Sequence, residues 1–242
     1  MKFLAIIPAR YASTRFPGKP LALIGGKPMI QWVYERASEQ FDTCFVATDD
    51  DRIRQAVTGF GGCVVMTSAE HRSGTDRCAE ALSIITGLTS ENYDVVVNIQ
   101  GDEPFLCAEH LQKIKGAFDD PGTQIATLVK EFGKDEDIFN PNSPKVVISS
   151  AGFALYFSRS VVPYVRGAEP EKWNDSYVFY KHIGIYAYRA DVLGEITSLP
   201  AGKLETAESL EQLRWLENGY NIRTELTTAE TVAIDTPDDL HK

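Results

Sequence analysis

The first half of the chain alternates between short apolar runs and segments with helical spacing. Strands buried on both faces of a sheet have such runs, which here are Phe3–Ile7, Cys44–Thr48, Cys63–Met66 and Asp94–Ile99. Helices are predicted over Pro28–Glu39, from the acids at 49–51 to about Gly59, from Asp76 to about Ile85, and over Ala108–Phe118. Strands that alternate with helices in this way predict an α/β fold with a mostly parallel central sheet.

The pattern changes after Gly122, where strand-like pieces follow one another with few long helices between them. These pieces are Ile125–Val129, Val146–Ile148, Ala154–Phe157 and Ile183–Tyr188, and we interpret them as an antiparallel-strand insertion. A helix is predicted over Ala207–Asn218, with Thr206 as its N-cap and Gly219 after its end. Short closing strands follow at Ile222–Glu225 and Thr231–Ile234. We therefore expect a single domain over 1–242, with an α/β half at 1–122, an inserted subdomain at 123–190 and a return to the main sheet at 191–242.

The loop after the first strand is rich in cations and hydroxyls. Pro8 has no N–H to donate and is expected to end the strand's hydrogen-bond ladder. The residues that follow include Arg10, Ser13, Thr14, Arg15, Gly18 and Lys19. Open α/β sheets bind ligands at the carboxyl ends of their strands, so this loop predicts an anion site. A solvated basic loop is the alternative interpretation.

The glycine pattern excludes two common nucleotide sites. A P-loop needs G-x-x-x-x-G-K-[ST], whereas Gly26-Lys27 is followed by Pro28. No G-x-G-x-x-G follows the first strand. Arg10, Arg15 and Lys19 could offset about three charges of a nucleoside triphosphate, which carries roughly four, so a divalent metal is also expected.

Two aspartates each follow a predicted strand at its carboxyl end. Asp102 comes after the Asp94–Ile99 run, and Asp235 after the last closing strand. Two carboxylates with phosphate oxygens and waters form a normal magnesium shell. Each aspartate alone would more often be a turn or cap residue, and it is their pairing at one sheet edge that favours a metal site. The three acids at 49–51 are interpreted as helix capping.

Composition and charge narrow the class of protein further. The chain has 242 residues, 43% of them hydrophobic, and a net charge of −10. An acidic protein lacks the basic surface that general nucleic-acid or membrane-surface binding requires. The four cysteines have no C-x-x-C spacing, and neither a secretory signal nor a membrane span is visible. We expect a soluble cytoplasmic protein.

Seven separated motifs together resemble one enzyme family. They are IIPARYASTRFPGKPL, the H-x-S-G-T-D-R element at His71 and Ser73–Arg77, NIQGDEP at Asn98–Pro104, ALYFSR, KHIGIYAYR, ESLEQLR and IDTPDDL. In this order, over essentially the whole chain, they resemble 3-deoxy-manno-octulosonate cytidylyltransferase, also called CMP-Kdo synthetase. The resemblance implies a Rossmann-like nucleotide-diphospho-sugar transferase fold with helices on both faces of the sheet. It makes 1–122 the nucleotide-binding half and 123–190 the sugar-binding and dimerisation subdomain.

The resemblance also implies a reaction and a site. CMP would pass from CTP to the anomeric hydroxyl of 3-deoxy-D-manno-octulosonate (Kdo) with release of pyrophosphate, for lipopolysaccharide biosynthesis, in a magnesium-dependent homodimer. The implied catalytic residues are Arg15, Lys19, Asp102 and Asp235, of which the two aspartates would hold Mg²⁺. CTP would contact Pro8, Ala9, Arg10, Ser13, Arg15, Lys19, Ser73, Gly74, Arg77 and Gln100. Kdo would contact Gln100, Arg159, His182, Tyr186, Glu211 and Gln212.

The sequence leaves three other functions to compare with this one. A cytidylyltransferase for another ulosonic acid, such as 8-amino-Kdo or a sialic acid, would have a similar first loop, although KHIGIYAYR and ESLEQLR favour Kdo. A sugar-1-phosphate nucleotidyltransferase would show a G-x-G-T-R loop, which is missing. A non-catalytic nucleotide-binding module would not need both aspartates and the cationic set.

Overall fold

The computed structural model describes residues 1–12, 16–230, 234, 236–237 and 239. Ser13, Arg15 and Asp235 lie outside the described residues, and so does the predicted strand Thr231–Ile234 except for its last residue. The strands are β1 (Phe3–Ala9), β2 (Leu23–Ile24), β3 (Lys27–Pro28), β4 (Cys44–Thr48), β5 (Val64–Met66), β6 (Val95–Asn98), β7 (Ile125–Glu131), β8 (Lys145–Ile148), β9 (Ala154–Ser158), β10 (Tyr180–Arg189) and β11 (Ile222–Leu226). The α-helices are α1 (Met29–Ser38), α2 (Asp51–Gly59), α3 (Gly74–Thr89), α4 (Ala108–Gly116), α5 (Trp173–Ser176), α6 (Ala190–Thr197), α7 (Lys203–Glu208) and α8 (Gln212–Glu217). Short 3₁₀ helices lie at Lys19–Leu21, Ala117–Asp119 and Pro170–Lys172.

The chain forms two compact units. The first contains residues 1–112, 185–197 and 230–242, and the second contains 113–184 and 198–229. Within the described residues, no helix is both long and apolar enough to cross a membrane.

A mostly parallel sheet forms the centre of the first unit. β1 pairs in parallel with β4 on one side and with β6 on the other, and β4 pairs in parallel with β5. The second half of β10 closes the row antiparallel to β6. The side chains of Leu4 to Ile7 and of Val95 to Val97 are fully buried, because helices cover both faces of a parallel sheet.

Helices α1 and α3 lie on opposite faces of this sheet. Ile7 and Pro8 are consecutive on β1, so their side chains point to opposite faces. A Cβ added to Gly101 would lie 3.6 Å from Ile7 and from Ile30 of α1, whereas a Cβ added to Gly74 of α3 would lie 3.2 Å from Pro8. The predicted arrangement of helices on both faces is therefore confirmed for this sheet.

The prediction that Pro8 ends the first strand is wrong, because β1 continues through Ala9 and Pro8 pairs with Ala47 of β4. The N–H and C=O groups of Ile6 face β6, whose chain donates to the Ile6 carbonyl from Ile99 N at 3.0 Å. Pro8 comes two residues later and faces the same side, beyond the last residue of β6. No ladder donor is needed there, so proline costs the sheet no hydrogen bond.

The second unit is built from short strands. β7 pairs in parallel with β11, whereas β8 pairs antiparallel with β9 and with the start of β10. The predicted antiparallel strands are therefore present, although β7 also has a parallel partner. Ile138, Trp173 and Phe179 form a small core cluster, on which Phe132, Val161, Val165 and Ala168 pack.

The prediction of one helix over Ala207–Asn218 is wrong, because α7 ends and α8 begins on either side of a left-handed residue, Ser209, with φ 51°. The Glu208 carboxylate accepts hydrogen bonds from Ser158 Oγ at 2.7 Å and from Arg159 N at 2.9 Å. These tertiary contacts outweigh the helical propensity of the segment. The predicted N-cap, Thr206, lies inside α7, whose N-cap is Gly202, while Gly219 has the predicted left-handed conformation (φ 85°).

The Arg159 guanidinium group stabilises this helix break. It donates from Nε to the Glu208 carbonyl at 2.6 Å, from one terminal nitrogen to the Pro141 carbonyl at 3.0 Å, and from the other to the Ser209 carbonyl at 3.2 Å. Three of its five N–H donors are thereby used on the backbone. Arg159 thus connects three separate stretches of the second unit.

Replacing Arg159 with Met should lower the free energy of unfolding by about 2 kcal/mol, because hydrogen bonds to a charged group are lost while the aliphatic stem is kept. Urea unfolding measures the change. Arg166→Met is the matched control, since Arg166 is exposed and its change should stay within about 0.5 kcal/mol. Equal midpoints for the two variants would contradict the stabilising role.

Candidate functional site

A pocket of about 350 Å³ opens in the first unit, at the carboxyl ends of β1 and β6. It is lined by Pro8, Ala9, Arg10, Lys19, Pro20, His71, Arg72, Ser73, Gly74, Arg77, Gln100, Gly101 and Asp102. Every described residue that the sequence assigned to CTP is in this set. The parallel β1 and β6 bring their loops to one edge of the sheet, where α/β folds bind ligands.

The lining of the pocket is strongly cationic. Among the described residues, four arginines and lysines line it against one carboxylate, that of Asp102. The protein as a whole has a net charge of −10. The local excess of positive charge therefore suits a polyanionic ligand, such as a chain of phosphates.

Lys19 and Asp102 form an ion pair in the pocket, with 2.6 Å between Lys19 Nζ and Asp102 Oδ2. Lys19 follows Gly18, whose φ of 73° is easiest for glycine, and its side chain is only 12% exposed. Asp102 follows β6 in the loop that leads to α4. The pair thus joins the loop that follows β1 to the loop that follows β6.

The end of the chain also reaches Asp102. The backbone N–H of Ile234 donates to the Asp102 carbonyl at 3.1 Å. The residue that precedes Asp235 in the sequence is therefore in direct contact with the Asp102 backbone.

The carboxyl group next to Asp102 adds no charge to the pocket near pH 7. Glu103 is 7% exposed, and its Oε2 has no hydrogen-bond partner among the described residues. Burial, together with the negative charge of Asp102, raises the pKa of Glu103 to about 8. At neutral pH the Glu103 carboxyl group is therefore mainly protonated and uncharged.

Asp102 has the ligand type that Mg²⁺ requires. Magnesium usually takes one or two carboxylates together with phosphate oxygens and waters, and Asp102 faces a pocket that suits phosphates. No cluster of three or more His, Cys, Asp and Glu side chains able to hold a metal occurs within the described part of the chain. Asp102 therefore fits a magnesium ion whose other ligands include phosphate oxygens and waters.

The N-terminus of α3 forms another wall of the pocket. Ser73 is the N-cap and accepts a hydrogen bond from Asp76 N at 3.1 Å. Gly74, the first residue of the helix, lies so close to the Pro8 ring that a Cβ would be 3.2 Å away. A residue larger than glycine would press against the end of β1. The positive end of the α3 dipole favours a negatively charged ligand at this wall.

Arg77 is held in place by two residues that the sequence did not reveal as part of the site. Its side chain is buried, at 5% exposure. One terminal nitrogen donates to Thr67 Oγ1 at 2.6 Å, and the other lies 3.3 Å from Asp49 Oδ1. Asp49 is one of the three acids interpreted as caps, whereas the N-cap of α2 is Asp50. The sequence could have pointed to Asp49 as a site residue, because Asp49 follows β4 at its carboxyl end.

His71, another residue that lines the pocket, is also held by a neighbouring carboxylate. Its Nε2 is bonded to the Glu80 carboxylate, which also accepts from Ser68 N at 2.8 Å. Burial opposes ionisation of Glu80, but the hydrogen bonds from Ser68 and His71 outweigh it and hold the pKa of the carboxyl group below its usual value. The sequence placed His71 in a motif without assigning it a contact. The structure places it, with Arg72, in the pocket wall.

The residues predicted to contact Kdo belong to both units. Gln100 and Tyr186 are in the first unit, where Tyr186 pairs with Asn98 and its ring stacks on Tyr188 at 6.0 Å. The others, Arg159, His182, Glu211 and Gln212, are in the second unit. Gln212 begins α8, is 5% exposed, and has an amide nitrogen without a hydrogen-bond partner among the described residues. Their contacts with Kdo remain predictions.

His182 is neutral in the folded protein. Its Nε2 is hydrogen-bonded to Thr127 Oγ1 at 3.0 Å, and its ring meets the edge of Phe157 with centroids 5.4 Å apart. Desolvation by this packing lowers the pKa of His182 from 6.5 to about 4. A neutral imidazole can donate and accept hydrogen bonds, but it cannot supply a positive charge to a carboxylate.

The lowered pKa of His182 should make the protein less stable as the pH falls. Between pH 6.5 and 4 the unfolded chain binds a proton on His182 that the folded chain does not, so stability falls as the pH drops. The loss attributable to His182 should reach about 2 kcal/mol by pH 5. Urea unfolding from pH 7.5 to 5 should show a shallower decline for His182→Gln than for the unsubstituted protein. Parallel profiles would contradict a neutral His182.

Comparison with known proteins places the chain in a family. A family model described as Cytidylyltransferase matches residues 4–225. The 3-deoxy-manno-octulosonate cytidylyltransferase of Parabacteroides distasonis is 62% identical over 246 residues, which cover 100% of this chain and 96% of that protein. The protein of the same name from Cytophaga hutchinsonii is 52% identical over 243 residues, covering 99% and 95%.

A solved structure gives the same result in three dimensions. The structure of CMP:2-keto-3-deoxy-manno-octonic acid synthetase complexed with CTP matches this chain with a TM-score of 0.88 and 44% sequence identity. The match covers 100% of this chain and 96% of that one, which confirms the predicted fold class. The pocket, the motif order and these similarities agree, and the chain belongs to the 3-deoxy-manno-octulosonate cytidylyltransferase family.

Proposed function

We propose that this protein transfers CMP from CTP to the anomeric hydroxyl of Kdo and releases pyrophosphate. The observation that carries the proposal is the cationic pocket at the carboxyl edge of the first unit's sheet, in which Lys19 and Asp102 already meet at 2.6 Å. The enzymes that share 62% and 52% of its sequence are named for the same activity. The oxygen of the Kdo 2-hydroxyl would attack the α-phosphorus in line with the departing pyrophosphate.

The two ends of the pocket have different tasks. Arg10 and Lys19 would bind the triphosphate, together with Ser13 and Arg15 from the same loop. The backbone of Pro8 and Ala9, with Ser73, Gly74 and Arg77, would frame the cytosine. Because Arg77 is fixed by Thr67 and Asp49, the cytosine end is built before the nucleotide arrives, which lowers the entropic cost of binding.

Asp102 and Asp235 would hold the magnesium ion. The contact from Ile234 N to the Asp102 carbonyl supports their proximity. When bound, the metal would neutralise charge on the phosphates and favour ionisation of the attacking hydroxyl. Lys19 and Arg15 would stabilise the negative charge of the departing pyrophosphate, and positioning would supply much of the remaining rate.

Kdo would be recognised by hydrogen bonds more than by charge. Gln100 and Tyr186 in the first unit, and Arg159, His182, Glu211 and Gln212 in the second, offer donors and acceptors for a sugar acid with many hydroxyls. Arg159 keeps two N–H donors beyond those that bind the backbone. It is the cation in this set that could pair with the Kdo carboxylate.

We further propose a cytoplasmic homodimer that serves lipopolysaccharide biosynthesis. Large apolar side chains are exposed on the second unit, among them Phe139, Leu155, Tyr164 and Val178. Exposed apolar side chains of this size are typical of interaction surfaces. Light scattering on the purified protein should give twice the chain mass of 26.8 kDa, and a monomer at micromolar concentration would exclude the dimer.

A substrate screen tests the function directly. Kdo, 8-amino-Kdo and a sialic acid are each incubated with CTP or UTP, with and without magnesium, and pyrophosphate release is followed. We expect turnover with CTP and Kdo that depends on the metal. Faster turnover with another ulosonic acid would identify that acid, rather than Kdo, as the substrate. Binding of CTP with no pyrophosphate release from any acid would leave only a nucleotide-binding module.

A further inference from the structure

The guanidinium group of Arg159 forms no ion pair within the described part of the chain. The side chain is half-buried, and its three hydrogen bonds all go to backbone carbonyl oxygens, which are uncharged. Two of its five N–H donors remain for another partner. A guanidinium group in this state favours an anionic ligand, because its planar fork of donors matches a carboxylate.

The backbone of Arg159 is held by two charged side chains. Arg159 lies one position beyond the end of β9, where the sheet no longer fixes the chain. Its N–H donates to Glu208 Oε2 at 2.9 Å, and its carbonyl accepts from Nζ of the fully buried Lys145 at 2.7 Å. Both backbone groups are therefore fixed by tertiary contacts, and so is the point from which the arginine side chain extends.

Glu208 also holds Arg159 at a second point. The Glu208 carbonyl accepts from Arg159 Nε at 2.6 Å, while the Glu208 carboxylate accepts from the Arg159 N–H and, at 2.7 Å, from the hydroxyl of Ser158. Ser158 is itself buried, at 2% exposure. The carboxylate thus fixes the backbone of the arginine without pairing with its guanidinium group, and the carbonyl fixes the far end of its aliphatic chain.

We propose that Glu208 is a positioning residue that orients Arg159 for the carboxylate of Kdo and leaves the charge of the guanidinium group to that ligand. The inference rests on the proposed function, in which Arg159 contacts Kdo. An arginine side chain loses rotamer entropy when a ligand fixes it, and the two contacts with Glu208 impose that order before the ligand arrives. CTP, whose proposed contacts are in the first unit, gains nothing from it.

Two conservative substitutions separate the reach of Glu208 from its charge. Glu208→Gln keeps the length and an acceptor for the Arg159 N–H but loses the charge, whereas Glu208→Asp keeps the charge and is one methylene group shorter. Glu208→Leu removes both the charge and the acceptors. Pyrophosphate release is followed at varied Kdo with saturating CTP, and at varied CTP with saturating Kdo.

We expect KM for Kdo to rise by about tenfold in Glu208→Leu and Glu208→Asp, the size expected when one charge-assisted contact is misplaced. In Glu208→Gln the rise should be less than about threefold, because the contacts that orient the arginine can still form. In all three variants KM for CTP and kcat should stay within about twofold, which marks the loss as one of Kdo binding.

Glu205→Leu is the matched control. Glu205 belongs to the same helix, α7, and its carboxylate accepts from Arg214 Nε at 2.8 Å. Its replacement removes the same charge and an ion pair from the same unit, but it should leave KM for Kdo within about twofold because it shares no partner with Arg159. Circular dichroism checks that each variant is folded, and if Glu208→Leu is not, the comparison of Glu208→Asp with Glu208→Gln decides.

A double-mutant cycle tests whether Glu208 acts through Arg159. Arg159→Met should raise KM for Kdo at least as much as Glu208→Leu does, and combining the two should raise it no further. Additive losses would show a general structural effect and overturn the inference. Equal rises in KM for Kdo and CTP, equal rises in the Glu205 and Glu208 variants, or a larger loss in Glu208→Gln than in Glu208→Asp would overturn it as well.

The same assays separate this inference from the proposed function. If Arg159→Met raises KM for Kdo and Glu208→Leu does not, the inference alone fails. If Arg159→Met leaves KM for Kdo unchanged while pyrophosphate is still released, Arg159 does not bind the Kdo carboxylate, and the inference fails with that contact. If the unsubstituted protein releases no pyrophosphate from CTP and Kdo, the proposed function fails, and the inference fails with it.

Discussion

Replacing Asp102 with Asn should reduce pyrophosphate release from CTP and Kdo by about a thousandfold, in the range found when a preorganised electrostatic group is lost at a reacting centre. Asp102 is the one carboxylate among the described residues that line the pocket. Asparagine keeps its shape but removes the charge that a magnesium ion needs. Initial rates at saturating CTP and Kdo measure the effect, and circular dichroism checks that the fold is retained.

Asp94→Asn is the matched control for Asp102→Asn. Asp94 precedes the opposite end of the same strand, β6, where its carboxylate accepts from Lys2 N at 2.7 Å. The change in charge is identical, but the position is far from the carboxyl edge. We expect its rate to stay within about twofold of the unsubstituted enzyme, as for surface changes in general. Near-normal turnover in Asp102→Asn would exclude Asp102 as a metal ligand.

Lys19→Met should lower kcat/KM for CTP by about two to three orders of magnitude, because Lys19 would meet the charge that develops on pyrophosphate as it leaves. Methionine keeps most of the aliphatic length without the ammonium group. If Lys19 acts mainly in the transition state, kcat falls along with kcat/KM, whereas an effect on KM alone would show that it only binds CTP.

Lys27→Met provides the control for Lys19→Met. Lys27 pairs with Glu35 at 2.8 Å and is 42% exposed, outside the residues that line the pocket. Its loss should leave kcat/KM within about twofold. Similar losses in both variants would mean that net charge, rather than the position of Lys19, governs the rate.

Much of the site could be predicted because parallel strands end together. The apolar run Cys44–Thr48 predicted β4 with the bounds that the structure has. Likewise, the polar residues after the first strand and Asp102 after the Asp94–Ile99 run were expected at one edge, and Lys19 and Asp102 do meet there. The alternation of strands and helices predicts that the strands are parallel, and parallel strands bring the loops at their carboxyl ends together.

The rest depended on contacts that no local pattern records. Three consecutive acids favour a helix N-terminus, but the sequence does not say that Asp50 caps α2 while Asp49 turns to Arg77. The break at Ser209 comes from Ser158 and Arg159, about 50 positions away in the chain. Helix α6 and the β2–β3 hairpin were not predicted either. Their segments are short, and packing decides short segments more than propensity does.

The ion pair between Lys19 and Asp102 has a consequence for nucleotide affinity if Lys19 binds the triphosphate as proposed. Without CTP, the Asp102 carboxylate already accepts from the ammonium group, so a phosphate oxygen would gain only the difference between two partners. The affinity for the nucleotide would thereby be limited, and the exchange would reverse after the reaction. As pyrophosphate leaves, Asp102 would return to Lys19, so the cation would keep a partner and product release would be favoured.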